Sequence, residues 1–339
     1  MAERTATPPV DLPALKQRLG RTGAWLSSLA AVSADQERRA VAAIEELGYG
    51  ALWFGETPTG KEALTHAALL LSASRRLMIA TGIASIYGRD ATAATAGAST
   101  LAEAWQGRFV LGLGVSHLPM VSGRGHQYGK PLPAMRAYLD AMDAAPYDAP
   151  VPGPVPRVLA ALRPKMLQLA ATRTQGAHPY FVTPEHTRRA RQILGPDPLL
   201  APEQAVVVDT DPARARATAR KSAADGGMPG SGVAPLSVPS YLNNLRELGF
   251  SDSDFESGGS DALIDAVVAW GDPESLGERI REHYRAGSDH VAVQPVARTL
   301  DQQLEDLAGW PPRWPANTRW LAAGWWWLVA DVAAVSHPN

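Results

Sequence analysis

A chain of 339 residues is long enough for one large α/β barrel or two ordinary domains. Its 45% hydrophobic and 19% charged residues describe a globular, enzyme-sized protein, and 32 basic against 34 acidic residues give no bias toward nucleic acid. Without any cysteine, disulfides and thiolate zinc sites are excluded, which accords with a cytoplasmic location.

The first twenty residues have no apolar h-region, so they read as a mobile leader, Met1 to about Asp11 above all, and not as a secretory signal. Thr22–Leu29 reads as a first strand. Ser33 then opens an amphipathic helix with Gln36 completing a capping box, Val41, Ile44 and Leu47 marking its buried face and Gly48 its stop. Gly50–Thr57 is a second strand ending in Glu56, Ala63–Ser74 a helix, and Met78–Tyr87 a third strand. Asp90 caps an Ala-rich helix running to Trp105, and GRFVLGLGVSH, Gly107–His117, is the fourth strand.

Beyond it, Pro119–Pro133 reads as a loop and Ala134–Ala144 as a helix. Arg157–Leu162 is a fifth strand, His178–Val182 a sixth, Gln204–Val208 a seventh and Asp289–Val296 an eighth. Helices Pro184–Leu194, Pro212–Ala224 and Pro273–Arg285 lie between them, and Gly226–Val267 reads as an insertion with a short helix around Tyr241–Leu248. Strand–helix alternation of this kind predicts a parallel sheet, most economically a closed (β/α)8 barrel over residues 21–300, with an open doubly wound sheet as the alternative. Residues 301–339 form a C-terminal extension holding six of the ten tryptophans; its apolar run Leu321–Ala330 is too short to span a bilayer.

The strand ends carry the candidate chemistry. Gly112 and Gly114 leave the fourth strand bare for close approach of a flat ligand, and a dinucleotide fingerprint is ruled out because His117 stands where a third glycine belongs. As a histidine, a residue type able to titrate near neutrality, His117 suits general acid work; Ser116 can donate a hydrogen bond, and Glu56 can give or take a proton. Leu162, Arg163 and Lys165 begin a helix whose N-terminus favours an anion. Arg89 and Asp90 fix a turn, while His126 and Tyr128 are candidate lining residues. The eight histidines are too scattered for a metal cluster, and no nucleophile-elbow or Walker motif is present.

Taken together and in order, WFGET, IATGIASIYGRD, RFVLGLGVSH and TQGAHPYF resemble the luciferase-like monooxygenase superfamily, and more narrowly its branch dependent on coenzyme F420. The resemblance runs from about Gly20 to Val296. It implies a TIM-type barrel with an insertion over the cofactor face, commonly a homodimer, acting on a small molecule and needing neither nucleic acid nor membrane. A hydride would pass between the deazaflavin ring and substrate. It places a non-proline cis peptide at Gly82-Ile83 behind the ring, with Glu56 and Thr57 at the ring edge. Gly112, Gly114 and Ser116 would lie along the ring, and Leu162, Arg163, Gly176, Ala177 and His178 on the phosphate side. His117 stands where some relatives carry a catalytic or ring-contacting acid; Thr57 stands where some have a catalytic histidine, so no base is implied there. Two alternatives remain open: an FMN-dependent two-component monooxygenase of the same fold, and a non-catalytic cofactor-binding barrel.

Overall fold

The computed structural model describes residues 10–150, 153–226, 233–296 and 299–309. Its strands are β1 (Thr22–Trp25), β2 (Ala51–Phe54), β3 (Met78–Thr81), β4 (Ala84–Ser85), β5 (Phe109–Gly114) and β6 (Arg157–Leu159), then β7 (Gly176–Ala177), β8 (Leu199–Leu200), β9 (Glu203–Val208), β10 (Val268–Gly271) and β11 (Val291–Pro295). Their order is β10-β9-β11-β1-β2-β3-β5-β6-β7-β8, with β4 on β5, and every pairing is parallel.

This order closes into a barrel because β8 and β9 are one passage of chain interrupted only at Ala201-Pro202. Its beginning pairs with β7 (Gly176 with Leu199) and its continuation with β11 (Glu203 with Ala292). The break itself is bonded on both sides: the Ala201 N–H donates to the Ala177 carbonyl at 3.0 Å, and the Ala292 N–H to the Pro202 carbonyl at 2.9 Å. The result is a TIM-type (β/α)8 barrel rather than an open sheet. Alternate residues explain the continuous apolar runs. Trp25, Trp53, Ala80 and Val110 fill the barrel, while Leu52, Ile79, Leu111 and Val293 pack outward in the core shared with the helices.

The barrel floor is closed by a helix, Leu12–Leu19, where a mobile leader was expected. Asp11 caps it through the Ala14 N–H at 3.0 Å, and Leu15 and Leu19 are buried in the barrel's inner core. A Cβ on Gly50 would lie 2.3 Å from the Leu19 carbonyl oxygen, so this glycine is what lets the helix sit so close. Leu12, Leu15 and Leu19 form one helical stripe, the periodicity that an unstructured reading overlooks. Residues 1–9 and the tryptophan-rich segment 310–339 lie outside the described residues.

Other boundaries also moved. The sixth strand is β7, Gly176–Ala177, and not His178–Val182: Pro179 has no N–H to donate, and Phe181 takes φ +56°, which ends any ladder. The third strand is split at Gly82-Ile83, whose peptide bond is cis, and resumes as β4 against β5. The loop expected at Pro119–Pro133 contains the short helix Leu118–Ser122, and the next helix starts at Pro131, with proline in its first turn. The insertion holds helices Pro239–Glu247 and Asp261–Val267. These lead into β10, which pairs with β9 where that strand runs past the barrel (Val268 with Ala205). The capping box at Ser33/Gln36 and the Asp90 cap are both present.

Candidate functional site

A cavity of about 340 Å³ opens at the C-terminal ends of the strands, opposite the helix-plugged floor. Of the residues singled out in the sequence, it brings together Glu56, Gly82, Ile83, Gly114, Ser116, His117, Tyr128, Leu162, Arg163, Lys165 and His178. Thr57, Gly112, Gly176 and Ala177 do not line it, nor do Arg89 and His126.

One wall is the bulge between β3 and β4. The Glu56 N–H donates to the Ile83 carbonyl at 3.2 Å, and its Oε2 accepts from the Ser85 N–H at 2.8 Å. Its Oε1 accepts from the Ala63 N–H at 3.4 Å and is held closely by the Arg89 guanidinium, which also bridges to Glu62. Glu56 therefore reaches the cavity with both carboxylate oxygens engaged, and its work in this geometry is to brace the bulge. Gly114 serves the same wall from β5, since a Cβ there would meet Ile83 Cδ1 at 2.5 Å. Gly112 serves the sheet instead. A Cβ on it would lie 1.9 Å from the Thr81 carbonyl oxygen, and Thr81 Oγ1 bonds both its carbonyl and its N–H at 2.8 Å. Gly176 likewise makes room for the Leu199 carbonyl, and Ala177 packs outward with the helix-side core. Thr57 is buried with its hydroxyl against Gly60.

The opposing rim follows β5. Ser116 takes φ +57°, a conformation non-glycine residues rarely adopt, and its carbonyl accepts from the Tyr128 hydroxyl at 3.1 Å. That turn swings His117 over the cavity, where its ring lies 5.8 Å from that of Tyr241. Burial holds the imidazole below its ordinary value, so it is neutral at pH 7.

The third wall is the segment leading into the helix Pro164–Arg173. Its Leu162 carbonyl is anchored by the His186 ring at 2.7 Å. Arg163 is paired at 2.5 Å with Glu247 of the insertion, which ties the cover to the rim. At the cavity's base His178 stacks on Trp53, centroids 4.2 Å apart, and donates from Nδ1 to the Ala201 carbonyl at 2.6 Å. Burial pushes it down to about 4, so the ring is neutral and its Nε2 is an acceptor without a partner among the described residues.

Two tyrosines of the wall, Tyr180 and Tyr241, escaped the sequence reading. Tyr180 stands two residues after His178, which the spacing of an extended segment could have suggested; Tyr241 lies in the insertion, where no pattern pointed to it. No group of three or more His, Cys, Asp or Glu among the described residues is arranged to hold a metal ion, and no described helix is long and apolar enough to cross a membrane. The arrangement is a mostly apolar slot with a neutral imidazole at its rim and a helix start flanked by Arg163 and Lys165. Such a slot can hold a flat ring with an anionic tail and bring a second molecule against it.

The parallel barrel, with its third strand bulged at Gly82-Ile83, thus carries a ligand-sized cavity at its strand ends. Residues 18–290 match the family model described as luciferase-like monooxygenase, and the chain belongs to that family. A Mycobacterium tuberculosis protein provisionally named as a coenzyme F420-dependent oxidoreductase is 36% identical over 101 residues, covering 30% of this chain and 29% of that protein. The match thus spans under a third of that relative's length. Among solved structures, an F420-dependent secondary alcohol dehydrogenase in complex with an F420-acetone adduct superimposes with TM-score 0.65 at 14% identity, over 85% of this chain and 97% of its own. The oxygenating constituent of a Pseudomonas putida Baeyer–Villiger monooxygenase in complex with FMN does so with TM-score 0.57 at 15% identity, over 86% and 94%.

Proposed function

We propose that the protein is an oxidoreductase that uses coenzyme F420 to transfer a hydride to or from a small, largely apolar organic substrate at the barrel mouth. The observation that carries this reading is the construction of the cavity: an Ile83 wall braced from behind, a rim ending in His117, and a helix start with Arg163 and Lys165. The residues present fit a deazaflavin coenzyme. The bulge offers a flat apolar backing, the helix start an anion site, and His178 Nε2 an acceptor lacking a partner among the described residues.

When bound, the coenzyme supplies a ring carbon that carries hydride. The chain does the rest. Glu56 and Arg89 fix the bulge so that the ring's backing does not move. Neutral His117, held against Tyr241, orients a substrate oxygen by a hydrogen bond. The insertion, latched by Arg163 and Glu247, keeps water from the slot. The partial identity to the mycobacterial protein supports F420. The structural likeness to the FMN-bound monooxygenase favours a second reading, an FMN-dependent monooxygenase fed by a separate reductase.

A titration separates the two. Purified protein is mixed with F420 or with FMN while ring fluorescence is followed, and the complex that forms is assayed for turnover over a panel of alcohols and ketones. Saturable binding of F420 with turnover is expected. Tight binding of FMN with none of F420 overturns the proposal in favour of the monooxygenase; binding without turnover across the panel favours a cofactor-holding barrel. A homodimer is part of the same proposal, and light scattering on the purified chain reads it directly.

A further inference from the structure

Beneath the cavity, inside the barrel, lies a carboxyl group that nothing described so far employs. On β9, Gln204 turns outward, bonding the Val267 carbonyl at 3.1 Å and the His283 ring at 2.9 Å. Glu203 turns the other way and is only 1% exposed. Its Oε2 accepts from the Phe181 N–H at 3.0 Å, at the residue held at φ +56°, while its Oε1 has no partner among the described residues. Such strained, pinned backbone persists where surrounding structure over-determines it, commonly at functional sites.

Glu203 borders a second, smaller chamber of about 20 Å³, enough for one water molecule. Tyr180, Gln294 and Ser222 are among the chamber's walls, and Tyr180 and Pro235 are walls of the main cavity as well. The titratable groups facing Glu203 are the phenols of Tyr180, from the segment after β7, and Tyr241, from the helix Pro239–Glu247; a charge on Glu203 would raise both. Gln294 comes from β11 and Ser222 from the helix Pro212–Ala224. No lysine or arginine among the described residues forms an ion pair with Glu203. Burial pushes its carboxyl up to about 8, so it carries a proton at neutral pH.

We propose that Glu203 is the proton source of the site, passing a proton from Oε1 through a water in the small chamber and the Tyr180 hydroxyl into the main cavity. This rests on the hydride-transfer reading and assigns its direction as reduction, with a carbonyl or conjugated double bond as the substrate class. The balance is simple. The substrate gains a hydride from the reduced deazaflavin and a proton from the relay. As the Glu203 O–H bond breaks, Tyr180 receives one proton and releases its own, leaving a carboxylate that solvent reprotonates by way of Ser222 at the half-exposed face of its helix. Glu203 acts through Tyr180 and is in that sense a positioning and relay residue.

Isotope-edited infrared spectroscopy on glutamate-labelled protein tests the first half without any cofactor. A protonated-carboxyl band is expected at pH 7, absent in Glu203→Gln, fading with a midpoint near pH 8, and shifted in midpoint in Tyr180→Phe. The second half adds F420 or FMN, whichever binds; the band should move on binding in the wild type and stay still in Tyr180→Phe. With F420 and a ketone, Glu203→Gln should lower kcat on the order of 100-fold at unchanged KM and lose the alkaline limb of the rate profile, with partial rescue by Glu203→Asp. No band at pH 7, or a band indifferent to both Tyr180→Phe and the bound cofactor, overturns the proposal. If neither cofactor binds, the hydride-transfer reading falls, while the band and its response to Tyr180→Phe still decide whether Glu203 holds a proton coupled to the cavity wall. Where Glu203→Gln does not fold, Glu203→Asp and the label in the wild type give the same readout.

Discussion

His117 and Glu56 were the two residues expected to do chemistry, and they differ in what their polar atoms already hold. Glu56 is occupied by the Ser85 N–H, the Ala63 N–H and Arg89. The His117 imidazole contacts the Tyr241 ring and makes no hydrogen bond to the described residues. Substitution should therefore separate them. His117→Ala is expected to cut turnover about 100-fold, at the scale of a lost hydrogen-bond donor to the reacting oxygen, with cofactor affinity changed little; an unchanged rate removes it from the mechanism. Glu56→Gln breaks a buried charge pair whose side chains are 2% and 8% exposed, so its cost should fall on stability, about 3 kcal/mol in urea unfolding. A Glu56→Gln protein of wild-type stability with abolished turnover would return Glu56 to the chemistry. Gly114→Ala is a third case. Its Cβ would stand 2.5 Å from Ile83, so the cavity wall must shift, and weaker cofactor binding with near-normal stability is expected from the fluorescence titration.

At the level of elements, the sequence was most legible where periodicity and capping agree. The helix opened by Ser33 and Gln36, the buried strands β2 and β5 and the helices after Pro184, Pro212 and Pro273 lie close to where their patterns place them. It was least legible where strands are two residues long. Gly176–Ala177 and Leu199–Leu200 carry too few residues to show alternation, and the bonds that define them come from partners remote in the chain. The same limit governs the site. Ser116 and His117, read as the end of a strand, and Gly82 and Ile83, placed by the family resemblance, all line the cavity. Gly112 and Gly176 were misplaced because a glycine's missing side chain looks the same whether ligand or neighbouring carbonyl fills the room. Glu203 gave no signal at all, standing at the head of an apolar strand without a charged partner near it in sequence. The floor helix was legible but overlooked, and it makes its own prediction. Leu19 is fully buried between that helix and the barrel interior, so Leu19→Ala should cost about 2–5 kcal/mol in urea unfolding while leaving cofactor affinity intact, because the cavity is at the other end. A loss of binding at retained stability would show instead that the floor and the mouth are coupled.

For the molecule as a whole, the buried titratable groups set a pH optimum of stability from two sides. His178, His186 and His290 are each pushed down to about 4 and His283 to about 3 by burial, from an ordinary 6.5. Between those values the unfolded chain binds protons that the fold refuses, so stability is lost as pH falls below about 6.5, and each group contributes roughly 1.4 kcal/mol per pH unit across its window. Glu203 works in the opposite direction. Its carboxyl is pushed up from 4.5 to about 8, so between these values the fold holds a proton that the unfolded chain releases, and stability declines as pH rises through that window. Four histidines outweigh one carboxyl below pH 6.5, and above it Glu203 is left acting against the fold until its own ionisation near pH 8. Thermal melts over a pH series should thus show a maximum near pH 6.5, falling steeply on the acid side and gently on the alkaline side. In Glu203→Gln the alkaline decline should flatten and the acid limb steepen between about pH 4.5 and 6.5, because the amide keeps the acceptor for the Phe181 N–H and no longer offsets the histidines. An alkaline limb that persists unaltered in Glu203→Gln would mean that Glu203 is ionised in the fold at neutral pH, and with that the relay beneath the cavity would lose its proton.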